Sequence, residues 1–255
     1  MIKTTSLPVY GQEATRNFII ALAGNPNVGK STVFNRLTGL KQHTGNWPGK
    51  TVTRAEGTFT HRNRRYTLVD LPGTYSLHAS SAEEQVARDF ICFSRPDLTL
   101  VVCDATCLER NLNLVLQILE ITNRVVLCVN LLDEAERKGI HIDIAALAHK
   151  LGIPVVGTAA RSGRGLSSLK DVLDDMVAGK IATTPRQVVY DPELEASISE
   201  IEKRLTPYLP DWISSRWAAL RLLERDYSIL EHFTGNKNEQ FPQRVLKEEV
   251  ALCLQ

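Results

Sequence analysis

Residues 24–31 read GNPNVGKS and fit the spacing G-x-x-x-x-G-K-[ST]. The chemistry served by this pattern is the holding of a polyphosphate. Backbone N–H groups reach phosphate oxygens only where side chains stay out of the way, which is the work of Gly24 and Gly29. Asn25, Asn27 and Val28 complete the turn. Lys30 offers a positive charge to the β- and γ-phosphates, and Ser31 offers a hydroxyl to Mg²⁺. The helix-like run STVFNRLTG, with Thr32 in its first turn, adds the positive end of a helix dipole. Three further pieces follow in chain order. DLPG (70–73) brings Asp70, which can hold Mg²⁺ directly or through water, and Gly73, whose amide can meet a γ-phosphate. NLLD (130–133) brings Asn130 and Asp133. A carboxylate there accepts from the N1–H and 2-amino groups of guanine, a donor pair that adenine lacks. TAAR (158–161) offers a backbone amide, at Ala159 or Ala160, to the guanine carbonyl. Each of the last three pieces is weak alone, and their order makes them one site.

These pieces need strands that end where they begin. The apolar runs FIIALAG (18–24), TLVVCD (99–104), RVVLCVN (124–130) and IPVVGTA (153–159) lack polar alternation, as strands buried on both faces of a parallel sheet do. Helical periods fall around 30–39, 82–93, 108–121, 143–151 and 165–178. TVTRAEGTFTH (51–61) and RRYTLVDL (64–71) alternate, with HRNR as a hairpin turn, so one strand pair is antiparallel. The spacing predicts an α/β domain over 18–180 with about six mostly parallel strands. Ligands of such sheets bind at the carboxyl ends of the strands, where all four motifs lie.

The rest of the chain reads differently. Residues 1–17 form a polar arm without the apolar block of a signal peptide. The stretch 181–189 reads as a linker. Over 190–255 no strand-like run occurs, and Leu194, Ile198, Ile201 and Leu205 recur at helical spacing. WISSRWAALRLLERD and FPQRVLKEEVALCLQ are also read as helical. A unit this small has a marginal core, so it is expected to pack on the first domain. The last helix runs to Gln255 without a capping signal, which reads as a module cut from a longer polypeptide. The formal net charge of +1 gives no global attraction to nucleic acid. No run approaches the ~18 apolar residues of a bilayer span. Five cysteines without a CxxC pair read as reduced thiols, with Cys103 and Cys128 buried in strands. HRNRR (61–65) is the most basic run and reads as a solvated hairpin tip. Ser81 and Glu84 make a helix-start capping pattern. His43, His61 and His78 are read as spread through loops without ligand spacing.

One stretch resists this account. GNWPGKT (45–51) has the breakers of a loop yet carries a tryptophan. In GTPases a loop after the first helix carries a threonine that ligates Mg²⁺ when a γ-phosphate is present, and Thr51 stands at that place. The chain resembles the cytosolic N-terminal portion of the ferrous iron transport protein B (FeoB) family. The resemblance rests on GNPNVGKSTVFNRLTG (24–39), GNWPGKTV (45–52), DLPGTYSL (70–77), DATCLERNL (104–112), NLLDEAERKG (130–139) and YDPELEASI (190–198). It implies a Ras-like P-loop GTPase domain followed by a small all-helical, GDI-like domain that senses the second switch. It implies a bacterial, Mg²⁺-dependent GTPase at the cytoplasmic face of the inner membrane, joined to a transporter portion. It is compatible with a homo-oligomer.

The resemblance further implies a potassium ion beside the phosphates, held by Asn27 and by the backbone carbonyls of Gly45 and Trp47. The Trp47 ring can also serve by packing on the domain and pinning the loop. Lys50 replaces a usual apolar residue. Leu131 replaces the lysine of N-K-x-D, and Ala159 a frequent serine. Thr74 stands where Ras-type enzymes carry a water-orienting glutamine, so slow hydrolysis is expected and no general base is assigned. The rival readings are a free-standing GTPase of ribosome or RNA function, and a GTP-binding conformational switch with negligible hydrolysis.

Overall fold

The computed structural model describes residues 16–40, 42–78 and 80–229. Its centre is a strand whose sequence leaves it no solvent face. In β1 (Asn17–Gly24) the run from Ile20 onward is buried. On one side β1 pairs in parallel with β4 (Arg64–Asp70), on the other with β5 (Leu98–Asp104). The full sheet has the order β2-β3-β4-β1-β5-β6-β7, with β2 (Gln42–Asn46), β3 (Thr53–His61), β6 (Val125–Asn130) and β7 (Val155–Gly157). Among the described strands the β2–β3 and β3–β4 pairs are antiparallel and the rest parallel. The described residues form seven strands, where about six were expected. The addition is β2, QHTGN, which carries no apolar pattern and forms because β3 offers it a hydrogen-bonding edge.

Helices cover both faces. Val33, Phe34 and Leu37 of α1 (Lys30–Thr38) share one hydrophobic cluster with Leu166, Leu169 and Leu173 of α6 (Leu166–Val177). The other face is covered by α2 (Ala82–Phe93) and α3 (Leu108–Ile121), followed in chain order by the short α4 (Leu132–Arg137) and α5 (Ile144–Leu151). The Ser81 hydroxyl accepts from Glu84 N at 3.1 Å and starts α2 as its sequence predicts. Cys92, Cys103 and Cys128 are buried, and burial pushes the Cys128 thiol up to about 12, so it stays protonated. Cys107 is exposed, and Cys253 lies outside the described residues.

The later helices are α7 (Pro192–Leu205) and α8 (Ser215–Leu223). Asp191 caps α7 by accepting from Leu194 N at 3.0 Å, with Pro192 at the first turn. Their buried residues, among them Ile198, Ile201, Leu205, Trp217 and Leu222, join the α2–α3 cluster instead of closing a core of their own. The packing expected from the small size of this unit is therefore present. The segment FPQRVLKEEVALCLQ lies outside the described residues.

The connection between the two parts is strapped down. Thr184 N donates to Gly152 O at 3.0 Å and Arg186 N to Leu151 O at 3.1 Å. The Thr183 hydroxyl donates to Asn123 O at 2.8 Å. Gly152 has a left-handed φ of 70°, and a Cβ there would collide with Thr184 O, so glycine is required on both counts. Among the described residues no helix is long and apolar enough to cross a membrane.

The basic run 61–65 is corrected in part. Arg62, Asn63 and Arg65 are exposed as expected, but the hairpin tip is also fastened to α6. Arg64 meets the buried Asp174 at 2.8 Å, and Arg62 meets Asp171 at 2.7 Å and Asp175 at 2.9 Å. The Tyr66 hydroxyl donates to Asp174 at 2.5 Å. Burial pushes the Asp174 carboxyl up, but the Tyr66 and Arg64 hydrogen bonds outweigh it and hold the group below its ordinary value. The histidine reading also changes. His43 lies on β2, and His61 ends β3 with its Nε2 2.9 Å from Asp171.

Candidate nucleotide-binding site

β1 ends at Gly24, and the chain turns through 25–29 into α1. Three features keep this turn open to an anion. A Cβ on Gly24 would stand 2.6 Å from Val102 O, so no side chain fits there. Asn27 adopts a left-handed φ of 67°, which asparagine tolerates better than most residues. Gly29, with φ 81°, precedes a helix whose first turn has no side-chain cap, so its amides remain turned toward the loop. Ser31 and Thr32 are exposed at this end. Asn25 is buried, and neither atom of its side-chain amide has a hydrogen-bond partner.

Lys30 is not free. Its ammonium pairs with the Asp70 carboxylate and donates to Leu71 O at 2.6 Å. Burial pushes the Asp70 carboxyl above its ordinary value, against the pull of the Lys30 charge. Beyond Asp70 the chain lies against the phosphate loop. Leu71 N donates to Leu22 O at 3.0 Å and Thr74 N to Gly24 O at 3.3 Å. The Thr74 side chain is buried and Gly73 is exposed.

The stretch GNWPGKT, expected as a loop, is the tip of a hairpin. Gly45 and Asn46 belong to β2. Trp47 N donates to Val52 O at 2.9 Å, and Lys50 N to Trp47 O at 3.0 Å. The Trp47 ring is buried edge-on to Phe90 at 5.3 Å, with the Arg54 guanidinium 4.9 Å from its centre. The packing role of this tryptophan is therefore realised. Its carbonyl, expected on an ion, closes a turn in this conformation. Thr51 is exposed at the tip, and Lys50 reaches Gln85 of α2 at 2.9 Å.

The base side is wired through Asn130, almost wholly buried. Its Nδ2 donates to Val28 O at 3.1 Å. Its Oδ1 accepts from Ala160 N and from the Thr158 hydroxyl, both at 3.0 Å. One side chain thus ties the phosphate loop to the TAAR turn. Ala159 N donates to Arg164 O at 3.0 Å, so both amides expected for a guanine carbonyl have protein partners here. Leu131 carries a left-handed φ of 63° and starts α4, which puts Asp133 in that helix's first turn, half-buried. The phosphate loop, Asp70, Asn130 and TAAR all lie at strand ends on one edge of the sheet, as predicted.

Sequence reasoning missed the contacts that the segment past DLPG, α2 and α3 make with one another and with the later helices. Leu77 N donates to Gln117 Oε1 at 2.7 Å. His78 Nδ1 lies 3.1 Å from Arg221 Nη1 and 3.3 Å from Glu224 Oε2 of the α8 region. Arg88 of α2, nearly fully buried, pairs with Asp226 at 2.8 Å. Arg216 pairs with Glu195 at 2.7 Å and lies 3.7 Å from the buried Glu120 of α3. No local period marks such partners. The hint in the sequence was the position of 81–89 just past DLPG.

As to fit, the chemistry of the donor set suits a Mg²⁺–phosphate pair. Two hydroxyls and a carboxylate are hard oxygen ligands, and Asp70 already faces a cation. A potassium ion fits less directly, because Trp47 O is engaged.

Comparison with known proteins agrees with this geometry. A family model described as ferrous iron transport protein B matches residues 18–173, and one described as the FeoB cytosolic helical domain matches 190–253. The Fe(2+) transporter FeoB of Escherichia coli K12 is 41% identical over 215 residues, covering 83% of this chain and 27% of that protein. A Porphyromonas gingivalis Fe(2+) transport protein A/FeoB fusion protein is also 41% identical, over 86% of this chain and 26% of its own length. The chain thus spans about a quarter of the length of these relatives. The crystal structure of the cytosolic domain of the T. maritima FeoB iron transporter in a GDP form superposes with a TM-score of 0.80. It is 36% identical and covers 94% of this chain and 98% of that one. The GMPPNP form gives 0.79 at 37% identity, over 93% and 97% of the two chains. A G domain followed by a helical domain is the shared architecture, and the chain belongs to the ferrous iron transport protein B family.

Proposed function

We propose that this chain binds Mg²⁺–GTP and hydrolyses it slowly to GDP and phosphate. In this reading it is the nucleotide switch of a bacterial ferrous iron transporter, at the cytoplasmic face of the inner membrane. The observation that carries the reading is the uncapped start of α1, with Lys30 at its mouth and Asp70 within reach. Solved relatives carrying GDP and GMPPNP support it. We divide the chain into a G domain over 18–180, a linker over 181–189 and a GDI-like helical domain from 190.

The amides of 24–32 wrap the phosphates, and Lys30 meets the β- and γ-oxygens. Ser31, Thr51 and Asp70 are the residues that would hold Mg²⁺, which when bound neutralises charge on the phosphate oxygens. Gly73 offers its amide to the γ-phosphate. Asp133 reads guanine, and Asn130 holds the base loop against the phosphate loop. Thr74 has no group to orient water as a glutamine would, so intrinsic turnover is slow. A rate above roughly 1 s⁻¹ without a partner, against the ~10⁻⁴ s⁻¹ scale of unassisted Ras, would contradict this. Asn27, with the Gly45 and Trp47 carbonyls, would hold K⁺ once the hairpin tip opens its Trp47–Lys50 turn. The helical domain reads the segment 75–78 through the contacts of Arg221 and Glu224 with His78 and relays the state to the transporter portion.

The test is GTP hydrolysis in KCl and in NaCl at equal ionic strength, with ATP as control. Potassium stimulation that is lost in Asn27→Ala supports the full reading. Equal rates in the two salts remove the ion and leave the GTPase. The missing glutamine favours a second reading, a binding switch without turnover, which would leave GTP intact over hours.

A further inference from the structure

We infer that the cleft between the segment past DLPG and α8 is a binding site for a small organic cation, a primary ammonium or a guanidinium, whose N–H groups meet Glu120. A cavity of about 400 Å³ opens there between residues 75–78, α3, the stretch 188–190 and α8. That volume suits a small molecule. Tyr75, Tyr190, Trp217 and Leu220 stand among its walls, and Glu120 of α3 lines it as well. The Glu120 side chain is only 8% exposed, and neither of its carboxylate oxygens has a hydrogen-bond partner. A carboxylate buried in this way is costly unless a cation and hydrogen-bond donors meet it.

Two guanidinium groups stand nearby, and each is committed to another acid. Arg216 holds Glu195 through Nη1 at 2.8 Å and Nη2 at 2.7 Å, while its Nε stays 3.7 Å from Glu120, beyond hydrogen-bond distance. Arg221 pairs with Glu224 at 2.7 Å, and His78 Nδ1 also lies toward Glu224, at 3.3 Å. Three carboxylates thus share two guanidiniums, and Glu120 is the one left short. Burial pushes its carboxyl above the ordinary value, against the pull of Arg216 and of the Val188 amide. An organic cation brings the charge and the N–H donors that Glu120 lacks, and the aromatic walls receive its apolar part and its charge. The Nε of Arg221 also has no partner, a donor that a neutral ligand could serve. The carboxylate in excess decides for a cation. Bound there, the ligand touches both the segment 75–78 and α8, and so clamps the helical domain onto the stretch past DLPG.

Titration of the chain with n-butylammonium chloride, followed by ¹H–¹⁵N correlation spectra, tests this. It is run at about pH 8, where an ordinary imidazole is neutral and cannot supply the charge. Sodium chloride matches the ionic strength, and 1-butanol serves as the uncharged control. Butylammonium is expected to give saturable shifts at the amides of Leu77, Gln117 and Arg221 at millimolar concentration. Butanol should bind there at least about tenfold more weakly. In Glu120→Gln, shown to be folded by its thermal melt, butylammonium affinity should fall about tenfold or more. The comparison of the two ligands on wild type decides the matter if that variant does not fold. No saturable shift at these amides, butanol binding as tightly as butylammonium, or an unchanged affinity in folded Glu120→Gln would each overturn the proposal. The nucleotide reading stands apart from all three outcomes, since no nucleotide is present in the titration.

Discussion

On the β6–β7 side of the site, Asn130 spends its side-chain amide on Val28, Thr158 and Ala160, inside a core that excludes water. On the β3–β4 side, Lys30 is paired with Asp70, the Trp47 carbonyl closes a turn, and Thr51 stands in solvent. The first half is finished by folding. The second half consists of contacts among the groups that the proposed function assigns to phosphate and ions. Under that proposal, the difference would let one site recognise a base rigidly and still report on phosphate. Recognition is built from bonds that persist, and switching from bonds that must be exchanged. The later helices and the turn after them lean on the segment past DLPG and on α2, through His78 and Arg88.

The sharpest way to break this comparison is to remove the base reader. Asp133→Ala should weaken GDP and GTP binding by about 100-fold or more, since two hydrogen bonds to a charged acceptor are lost, with little change in melting temperature. Calorimetric titration checks it, and a loss below fivefold would remove Asp133 from the site. Asn130→Ala should act first on the fold. It takes a partner from Val28 O and Ala160 N and leaves the Thr158 hydroxyl with Cys128 Sγ, and should cost about 2–3 kcal/mol in a denaturant titration. An unchanged midpoint would mean that the base half is not finished by folding.

The next test concerns the helices that lean on the switch half. The Arg216 hydrogen bonds, together with the backbone N–H of Tyr190, push the Glu195 carboxyl down to about 2. Its folded value lies below its unfolded one. Its contribution is therefore complete above the ordinary carboxylate range and is lost as pH falls from about 4.5 toward 2. Arg216→Met should flatten that part of the stability–pH curve while leaving nucleotide affinity at pH 7 unchanged. An acid limb as steep as that of wild type would contradict it. The smallest effect is expected from Trp47→Phe, which keeps an aromatic ring near Phe90 but shrinks the contact with Arg54. A loss of about 1 kcal/mol or less in thermal stability is expected. A much larger loss would make the hairpin tip part of the permanent wiring.

What the sequence revealed follows the same division. The phosphate loop, the buried strands and the cap of α2 were legible because each depends on spacing within a short stretch. β2 was not, because QHTGN has no strand pattern and owes its form to the edge of β3. α4 was missed because its six residues leave no room for a period. The hairpin tip 61–65 is exposed as read, but its ion pairs were not legible because the acids that meet it lie about a hundred residues away, on α6. The occupied states of Lys30 and Trp47 O were likewise invisible. Motif spacing tells which groups can meet a ligand, and not which protein groups lie against them.

The strap across 183–186 carries a consequence for how the molecule moves as a whole. A slack tether would let the sheet domain and the helical domain tumble independently, each with its own rotational diffusion tensor. Bolted at Gly152, Leu151 and Asn123, the chain enters α7 from a fixed point on the sheet domain. Amides on both sides of residue 185 should then relax with one shared correlation time in solution.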